Sequence, residues 1–163
     1  MLREHTQKSI LWQPAGLPGV TLLRGECLQQ RLARHAHEEY ALGVVTRGGL
    51  GFQYRRASHI AGAGEINIVV PGEVHTGHPE IEAFWSYRTF YIAPEIMREV
   101  DGELGTPARS MPFFAAGVLK DPELAVRYEH KGKSFTLRHL VGMLFDPTGN
   151  CHRVEASNFL FGL

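Results

Sequence analysis

Hydrophobic and polar residues alternate along much of the segment from about Val20 to Ile92, in short runs that end at glycine or proline. Leu50, Phe52 and Tyr54, for example, are separated by glycine and glutamine. A period of two is typical of a strand with one buried face, and glycine and proline punctuate the connections between strands. The pattern therefore predicts a mainly β domain built from short strands.

Strands are predicted over residues 28–32, 41–46, 50–55, 58–61, 65–70 and 84–92. Turns are predicted at Gly48-Gly49, at Gly62-Ala63-Gly64 and at Pro71-Gly72. Phe84 to Ile92 (FWSYRTFYI) is apolar on both alternating faces, which is typical of a central strand that is covered on two sides.

Helical signals come later in the chain. Pro94-Glu95 and Asp121-Pro122-Glu123 each combine proline with an acidic residue, which favours the first turn of a helix. A third, amphipathic helix is expected around residues 137–144. Many short strands followed by helices predict an all-β barrel with a C-terminal helical appendage.

Bulk composition narrows the class of protein. The chain has 163 residues, 44% of them hydrophobic, and a formal net charge of zero. This argues against a nucleic-acid-binding surface within the chain, since such surfaces show a basic excess. The polar start lacks the apolar core of a signal peptide, and no apolar run approaches a membrane span. With Cys27 and Cys151 far apart and expected as free thiols, we expect a cytoplasmic protein without membrane contact.

Histidines supply the main candidate chemistry. His35 and His37 are two residues apart, so on an extended strand their side chains point the same way. His75 follows after an apolar strand and the turn at Pro71-Gly72. Three converging imidazoles predict either a metal site, for zinc or another divalent ion such as nickel or iron, or the polar end of a ligand pocket.

Other residues have two open readings. Aromatic side chains on barrel strands either fill the core or line a cavity. The candidate ligand-binding residues are therefore His35, His37, Tyr40, Phe52, Tyr54, His75, Trp85 and Tyr87. Arg88 either pairs with an acid at the rim or holds an anionic ligand. Glu38 and Glu39 are expected in a solvated loop or strand edge, and His78 in a loop. No nucleophile motif is present, so no catalytic residue is assigned.

Several of these phrases resemble the N-terminal effector-binding domain of AraC-family transcriptional regulators, a cupin-type jelly-roll barrel. The resemblance covers about residues 10–130 and is carried by HAHEEYALGVVTRG, GEINIVVPGEVHTG and WSYRTFYI. It implies an N-terminal arm over 1–19, an effector-binding barrel over 20–112 and a helical, dimerisation-related segment over 113–163. By this resemblance a small-molecule effector binds inside the barrel of a homodimer. DNA would be contacted only through a helix-turn-helix domain that this chain does not contain.

One departure from the cupin pattern leaves an alternative open. Metal cupins carry a glutamate four or five residues after the second histidine, where this chain has Ala41 and Leu42. The alternative function is a stand-alone metal-dependent cupin enzyme, a dioxygenase or isomerase, with the metal held by His35, His37 and His75. No residue selects among effector classes.

Overall fold

Two antiparallel sheets and one helix form the described part of the protein. The computed structural model describes residues 7–15, 17–81, 84–103 and 111–121. In these ranges the strands are β1 (Lys8–Trp12), β2 (Val20–Leu28), β3 (Leu32–His35), β4 (Tyr40–Tyr54), β5 (Ala57–Gly62), β6 (Ile66–Val69), β7 (His75–Pro79), β8 (Trp85–Ile92) and β9 (Val118–Leu119), and the helix is α1 (Pro94–Glu103). The predicted mainly-β barrel is confirmed.

The sheets share one long strand. Sheet A has the order β1-β2-β8-β4-β6-β9, and in sheet B β7 lies between β3 and β4, which also pairs with β5. The first part of β4, from Tyr40 to Gly48, pairs with β6 and β8, whereas its last residues pair with β5 and β7. Because β4 runs from one sheet into the other, the two sheets close around a common interior.

The predicted turn at Gly48-Gly49 is wrong: both residues lie inside β4. Gly48 has φ +69°, and a Cβ there would overlap the carbonyl oxygen of Phe84. The β4–β8 register also shifts between Val45 and Arg47. Glycine thus bends the strand between the sheets without ending it, because only glycine adopts this conformation at low cost.

Sheet A is covered on both faces. Leu42 and Val44 lie in the outer core, the buried cluster that packs against Met97 and Val100 of α1. The outer core comprises Val20, Leu22, Tyr40, Leu42, Val44, Ile66, Ile68, Val70, Ile92, Met97, Val100 and Phe114. The opposite face joins sheet B in the inner core, which comprises Leu28, Ala41, Val45, Leu50, Phe52, Tyr54, Ala61, Val69 and Trp85. This two-sided burial confirms the central position predicted for β8 and explains its apolar residues on both faces.

Other expectations have mixed outcomes. The strand predicted over 28–32 is wrong, since β2 ends at Leu28 and β3 begins at Leu32. The helix at Pro94 is confirmed, whereas the helices predicted from Asp121 and over 137–144 lie outside the described residues. Within the described ranges no helix has the length and apolar character of a membrane span.

Candidate functional site

Three imidazole rings meet where β3, β7 and the β3–β4 loop come together. His35 and His75 are direct cross-strand partners, and their ring centroids are 4.2 Å apart. His37 lies in the loop, with its ring 4.9 Å from that of His75 and 6.2 Å from that of His35. The predicted convergence of the three histidines is therefore present, and the ring of Tyr91 contacts His37 at 5.4 Å.

Backbone carbonyls set the orientation of all three rings. The Nδ1 atoms of His35, His37 and His75 lie 2.8, 2.8 and 3.0 Å from the carbonyl oxygens of Ala33, Glu39 and Glu73. A carbonyl oxygen only accepts hydrogen bonds, so Nδ1 must carry the proton and donate it. Nε2 is then the nitrogen that offers a lone pair to a metal ion or to a donor group of a ligand.

Burial keeps two of these imidazoles uncharged. It lowers the pKa of His75 to about 4, an effect that the hydrogen bond to Glu73 only partly offsets. Burial also lowers the pKa of His37, against the raising effect of its bond to the carbonyl of Glu39. At neutral pH both rings are therefore uncharged, and each can offer the Nε2 lone pair to a metal ion or a ligand without first losing a proton.

A small cavity opens beside the histidines, inside the barrel. Its volume available to water-sized molecules is about 50 Å³, enough for a few waters or a compact guest. Residues of both sheets line it: Leu32, His35, His37, Ala41, Leu50, Phe52, Asn67, Val69, His75, Thr76, Gly77, Trp85, Tyr87, Thr89 and Tyr91.

Predicted site residues divide between this cavity and the surrounding cores. Phe52, Trp85 and Tyr87 line the cavity with the three histidines. Tyr40 is fully buried in the outer core, on the opposite face of sheet A, and Tyr54 is buried in the inner core without lining the cavity.

Several cavity residues were missed by the sequence analysis. Thr89 and Tyr91 continue the face of Trp85 and Tyr87 along β8, so the period of two offered a signal for them. Asn67 alternates with Ile66 and Ile68, which resembles the solvent side of an ordinary strand. It faces the cavity because sheet A is covered on both sides.

Two buried polar atoms at the cavity have no hydrogen-bond partner among the residues that the structure describes. They are the side-chain oxygen of Asn67 and the indole nitrogen of Trp85. Gly43 is the cross-strand partner of Asn67 on one side and of Thr89 on the other, and a Cβ on Gly43 would overlap Asn67 Oδ1 and lie 2.9 Å from Thr89 Oγ1. The missing side chain at Gly43 thus makes room for these two oxygens.

Metal coordination is not preformed. No group of three or more His, Cys, Asp or Glu in the described ranges is arranged to hold a metal ion. Glu38 is exposed and therefore adds no carboxylate within the cavity. Three imidazoles that offer Nε2 are ligands of a type that divalent ions bind. In this structure, however, the three rings contact one another and are not arranged around a point that an ion could occupy.

Residues 111–120 connect the barrel to the part of the chain that follows; we call them the exit segment. The Tyr40 hydroxyl donates to the Pro112 carbonyl at 2.6 Å, and burial, followed by the nearby Asp101, raises the pKa of Tyr40 to about 12. The Ile68 amide donates to the Gly117 carbonyl at 2.9 Å. Lys120 Nζ lies 3.0 Å from Glu65 Oε1. These bonds fix the exit segment against sheet A.

Arg55 joins the exit segment to the loop before His75. Its Nη1 donates to the Phe114 carbonyl at 2.7 Å, and its Nε lies 3.3 Å from Glu73 Oε1. The guanidinium also stacks over the ring of Phe113, 4.3 Å from its centroid. The Glu73 carbonyl accepts the hydrogen bond from His75 Nδ1, so Glu73 contacts the imidazole through its backbone and Arg55 through its side chain.

A cleft near Arg88 lies apart from the histidines. Arg88 is the cross-strand partner of Arg24, and both line this cleft together with Glu26 and Arg47. Arg24 forms an ion pair with Glu26. His78, expected in a loop, lies in β7, and its Nε2 is 2.9 Å from Glu80 Oε2. Neither Arg88 nor His78 lines the cavity.

The protein is similar in fold to solved cupin structures. A cupin 2 conserved barrel domain protein from Leptotrichia buccalis is 15% identical, with 52% of this chain and 41% of that chain covered and a TM-score of 0.44. An RmlC-like cupin with a double-stranded β-helix fold from Methanocaldococcus jannaschii is 8% identical, with coverages of 57% and 87% and a TM-score of 0.46. Oxalate decarboxylase of Bacillus subtilis is 11% identical, with coverages of 72% and 40% and a TM-score of 0.45.

No curated protein matches the sequence. The model of the AraC-like ligand binding domain matches residues 17–130, well over half of the chain. This match includes all three histidines, every residue that lines the cavity and the whole exit segment. The chain belongs to the AraC-like ligand-binding domain family.

Proposed function

We propose that this chain is the sensory domain of an AraC-type transcriptional regulator, which binds a small-molecule effector in the barrel cavity. The effector would contact His35, His37 and His75, and its binding would control attached helix-turn-helix domains. The domain would work in the cytoplasm, as a homodimer, and would have no catalytic activity of its own.

One observation carries this proposal: three imidazoles meet at one cavity with Nδ1 of each bound to a carbonyl. If the three rings only filled space, there would be no reason for Nδ1 to face a backbone carbonyl in every one of them. The common orientation leaves three Nε2 atoms for a guest, which is the arrangement expected of a binding site.

A divalent metal ion is the first occupant to consider at these nitrogens. His35, His37 and His75 would hold it, and such an ion would supply a Lewis acid that attracts an effector oxygen. The residues themselves set the tautomer and keep His37 and His75 free of competing protons. Binding would require the rings to adjust, since they are not spaced for coordination in the described structure.

The exit segment provides a route from the cavity to the rest of the chain. His75 donates to Glu73, Glu73 pairs with Arg55, and Arg55 binds the Phe114 carbonyl. A guest that moves His75 would therefore change the docking of the exit segment in proportion to its differential affinity for the two arrangements.

Zinc titration by calorimetry tests the metal part of the proposal. Wild-type protein is expected to bind zinc, and His35→Ala and His75→Ala each to weaken binding by at least about tenfold, since each removes one ligand. His78→Ala is the matched control, because His78 lies on the same strand but does not line the cavity. Equal zinc affinity in all four proteins would contradict the assignment.

A thermal-shift screen of small metabolites tests effector binding itself. Compounds that raise the melting temperature of the wild type are expected to lose this effect in His75→Ala and to keep it in His78→Ala. If every stabilising compound acts equally on the three proteins, the effector does not bind at the histidines.

The second candidate function is a metal-dependent cupin enzyme. The same three imidazoles favour it, since they would leave coordination positions open for a substrate. Against it, no Asp, Glu, Lys or Cys is among the described side chains at the cavity, so proton transfer would fall to histidine or tyrosine alone. Turnover of a small substrate by the zinc- or iron-loaded protein would favour the enzyme.

A further inference from the structure

The chemical character of the cavity restricts the effector further. Its described lining contains no Asp, Glu, Lys or Arg. Arg24, Arg47 and Arg88 line a separate cleft, and Arg55 binds the exit segment. With no metal ion bound, a charged organic guest would lose its hydration in the barrel without gaining an opposite charge from any acidic or basic side chain of the described lining.

Polar groups are nevertheless present in the cavity, in an uncharged form. Asn67 presents a buried side-chain oxygen that no described residue contacts by a hydrogen bond. The space around that oxygen depends on Gly43, and the Thr89 hydroxyl lies on the other side of the same glycine. Because a buried acceptor without a donor is costly, this position is suited to a guest that brings a donor.

Trp85 supplies the complementary group. The side chain is completely buried and lines the cavity, yet its indole N–H has no acceptor within the described residues. Most buried indole groups do have an acceptor, so this N–H is suited to a guest that brings an oxygen. The ring of Tyr87 stacks against Trp85 at 6.1 Å and limits its freedom to turn.

We propose that the effector is a small uncharged molecule with amide or hydroxyl groups, and that Asn67 and Trp85 are its specificity-determining residues. A donor of the effector binds Asn67 Oδ1, and an acceptor of the effector binds the Trp85 indole N–H. This inference rests on the proposed function, because it names the class of molecule that enters the same cavity.

Acetamide and acetate form a matched pair of probes for this inference. They have the same shape and four heavy atoms, but only acetamide is uncharged and carries N–H donors. A guest of this size suits a cavity of about 50 Å³. So small a molecule binds weakly, with dissociation constants on the order of millimolar, so both probes are titrated over tens of millimolar.

The indole N–H resonances of the full chain in metal-free buffer give the readout. The chain has two tryptophans, Trp12 and Trp85. Trp12 lies on β1 and does not line the cavity, so its indole signal is an internal control. Acetamide is expected to shift the Trp85 signal saturably, with at least about tenfold higher affinity than acetate, and to leave Trp12 unchanged.

Asn67→Leu tests the role of the amide. Leucine has the same branching and the same number of side-chain heavy atoms as asparagine but no acceptor, so acetamide affinity is expected to fall at least about tenfold. Gln53→Leu is the matched control, since Gln53 is an exposed amide on β4. Unchanged acetamide affinity in Asn67→Leu would overturn the role of Asn67. Should that variant not fold, the wild-type comparison of the two probes still decides the effector class.

The outcomes separate this inference from the proposed function. If acetate shifts the Trp85 signal with equal or higher affinity, the uncharged class is wrong, while a binding cavity in the barrel stands. If neither probe shifts it, the roles of Asn67 and Trp85 are wrong, while the thermal-shift screen with His75→Ala decides the proposed function separately.

Discussion

The two faces of sheet A differ in how completely they are packed. In the outer core, Leu42 and Val44 are fully buried against neighbouring strands and α1, and the Tyr40 hydroxyl has its acceptor. The inner face has similar burial at Trp85 and Val45, but it faces the cavity that the three histidines also line, and two of its buried polar atoms have no partner among the described residues.

This difference indicates that one face of sheet A contributes mainly to stability and the other mainly to binding. Close packing of apolar side chains contributes most to folding stability, so the outer core is suited to holding the sheet together. Polar groups left without partners lower stability, and such groups persist at sites that bind something else. The face that packs less completely is therefore the one to which function is assigned.

Equal truncations on the two faces should show the largest effect. Val44 and Val69 are both buried β-strand valines, but Val69 borders the cavity. Val44→Ala is expected to lower the free energy of unfolding by about 2–3 kcal/mol, and Val69→Ala by about 1 kcal/mol less, because Val69 already lacks neighbours on one side. Urea unfolding measures both. Equal losses would remove the distinction between the faces.

Acidification should act through the inner face. Burial depresses the pKa of His75 to about 4 in the folded state, so between pH 6.5 and 4 the unfolded chain binds a proton that the folded chain does not. Stability is therefore expected to fall by about 2 kcal/mol as pH decreases through this window. Urea unfolding at several pH values measures the effect, and it should be reduced in His75→Gln but not in His78→Gln. If His75→Gln loses as much stability on acidification as the wild type does, His75 is not the group responsible.

Arg55 is the residue that links Glu73, and through it His75, to the exit segment, so a substitution of Arg55 removes this link. Arg55 and Arg56 both have positive φ, at 50° and 63°, but only Arg55 contacts Phe114 and Glu73 in the described structure. Arg55→Ala is expected to cost about 1–2 kcal/mol of stability and to speed hydrogen exchange at the Ile68 amide, which binds Gly117. Arg56→Ala should change neither. Equal exchange rates in both variants would show that Arg55 does not hold the segment.

The smallest expected effect has the opposite sign. Asn67→Leu removes a buried acceptor that has no partner among the described residues, so it should stabilise the protein by up to about 1 kcal/mol while reducing binding. Thermal unfolding without ligand measures the gain. A loss of more than about 1 kcal/mol would mean that Asn67 serves folding, as an outer-core residue does.

Sequence patterns predicted β4, β5, β6 and β8 and the meeting of the histidines, because alternation and glycine-bounded turns report local backbone structure. They failed at Gly48-Gly49, where glycine bends a strand instead of ending it, since glycine permits both conformations. They also missed Asn67, whose position in an alternating strand resembles solvent exposure. Which polar residue faces the cavity depends on α1 covering the other face, a long-range relation that local alternation does not contain.

The histidine rings offer the most direct test of a binding site on the inner face. Long-range nitrogen–proton NMR spectra at pH 7 distinguish the tautomers of each imidazole. His37 and His75 are expected to be neutral with the proton on Nδ1, and zinc is expected to shift their Nε2 signals. Nε2 signals that zinc leaves unchanged would contradict the metal part alone, whereas rings protonated at Nε2 would contradict the central claim of three Nε2 lone pairs offered to a guest.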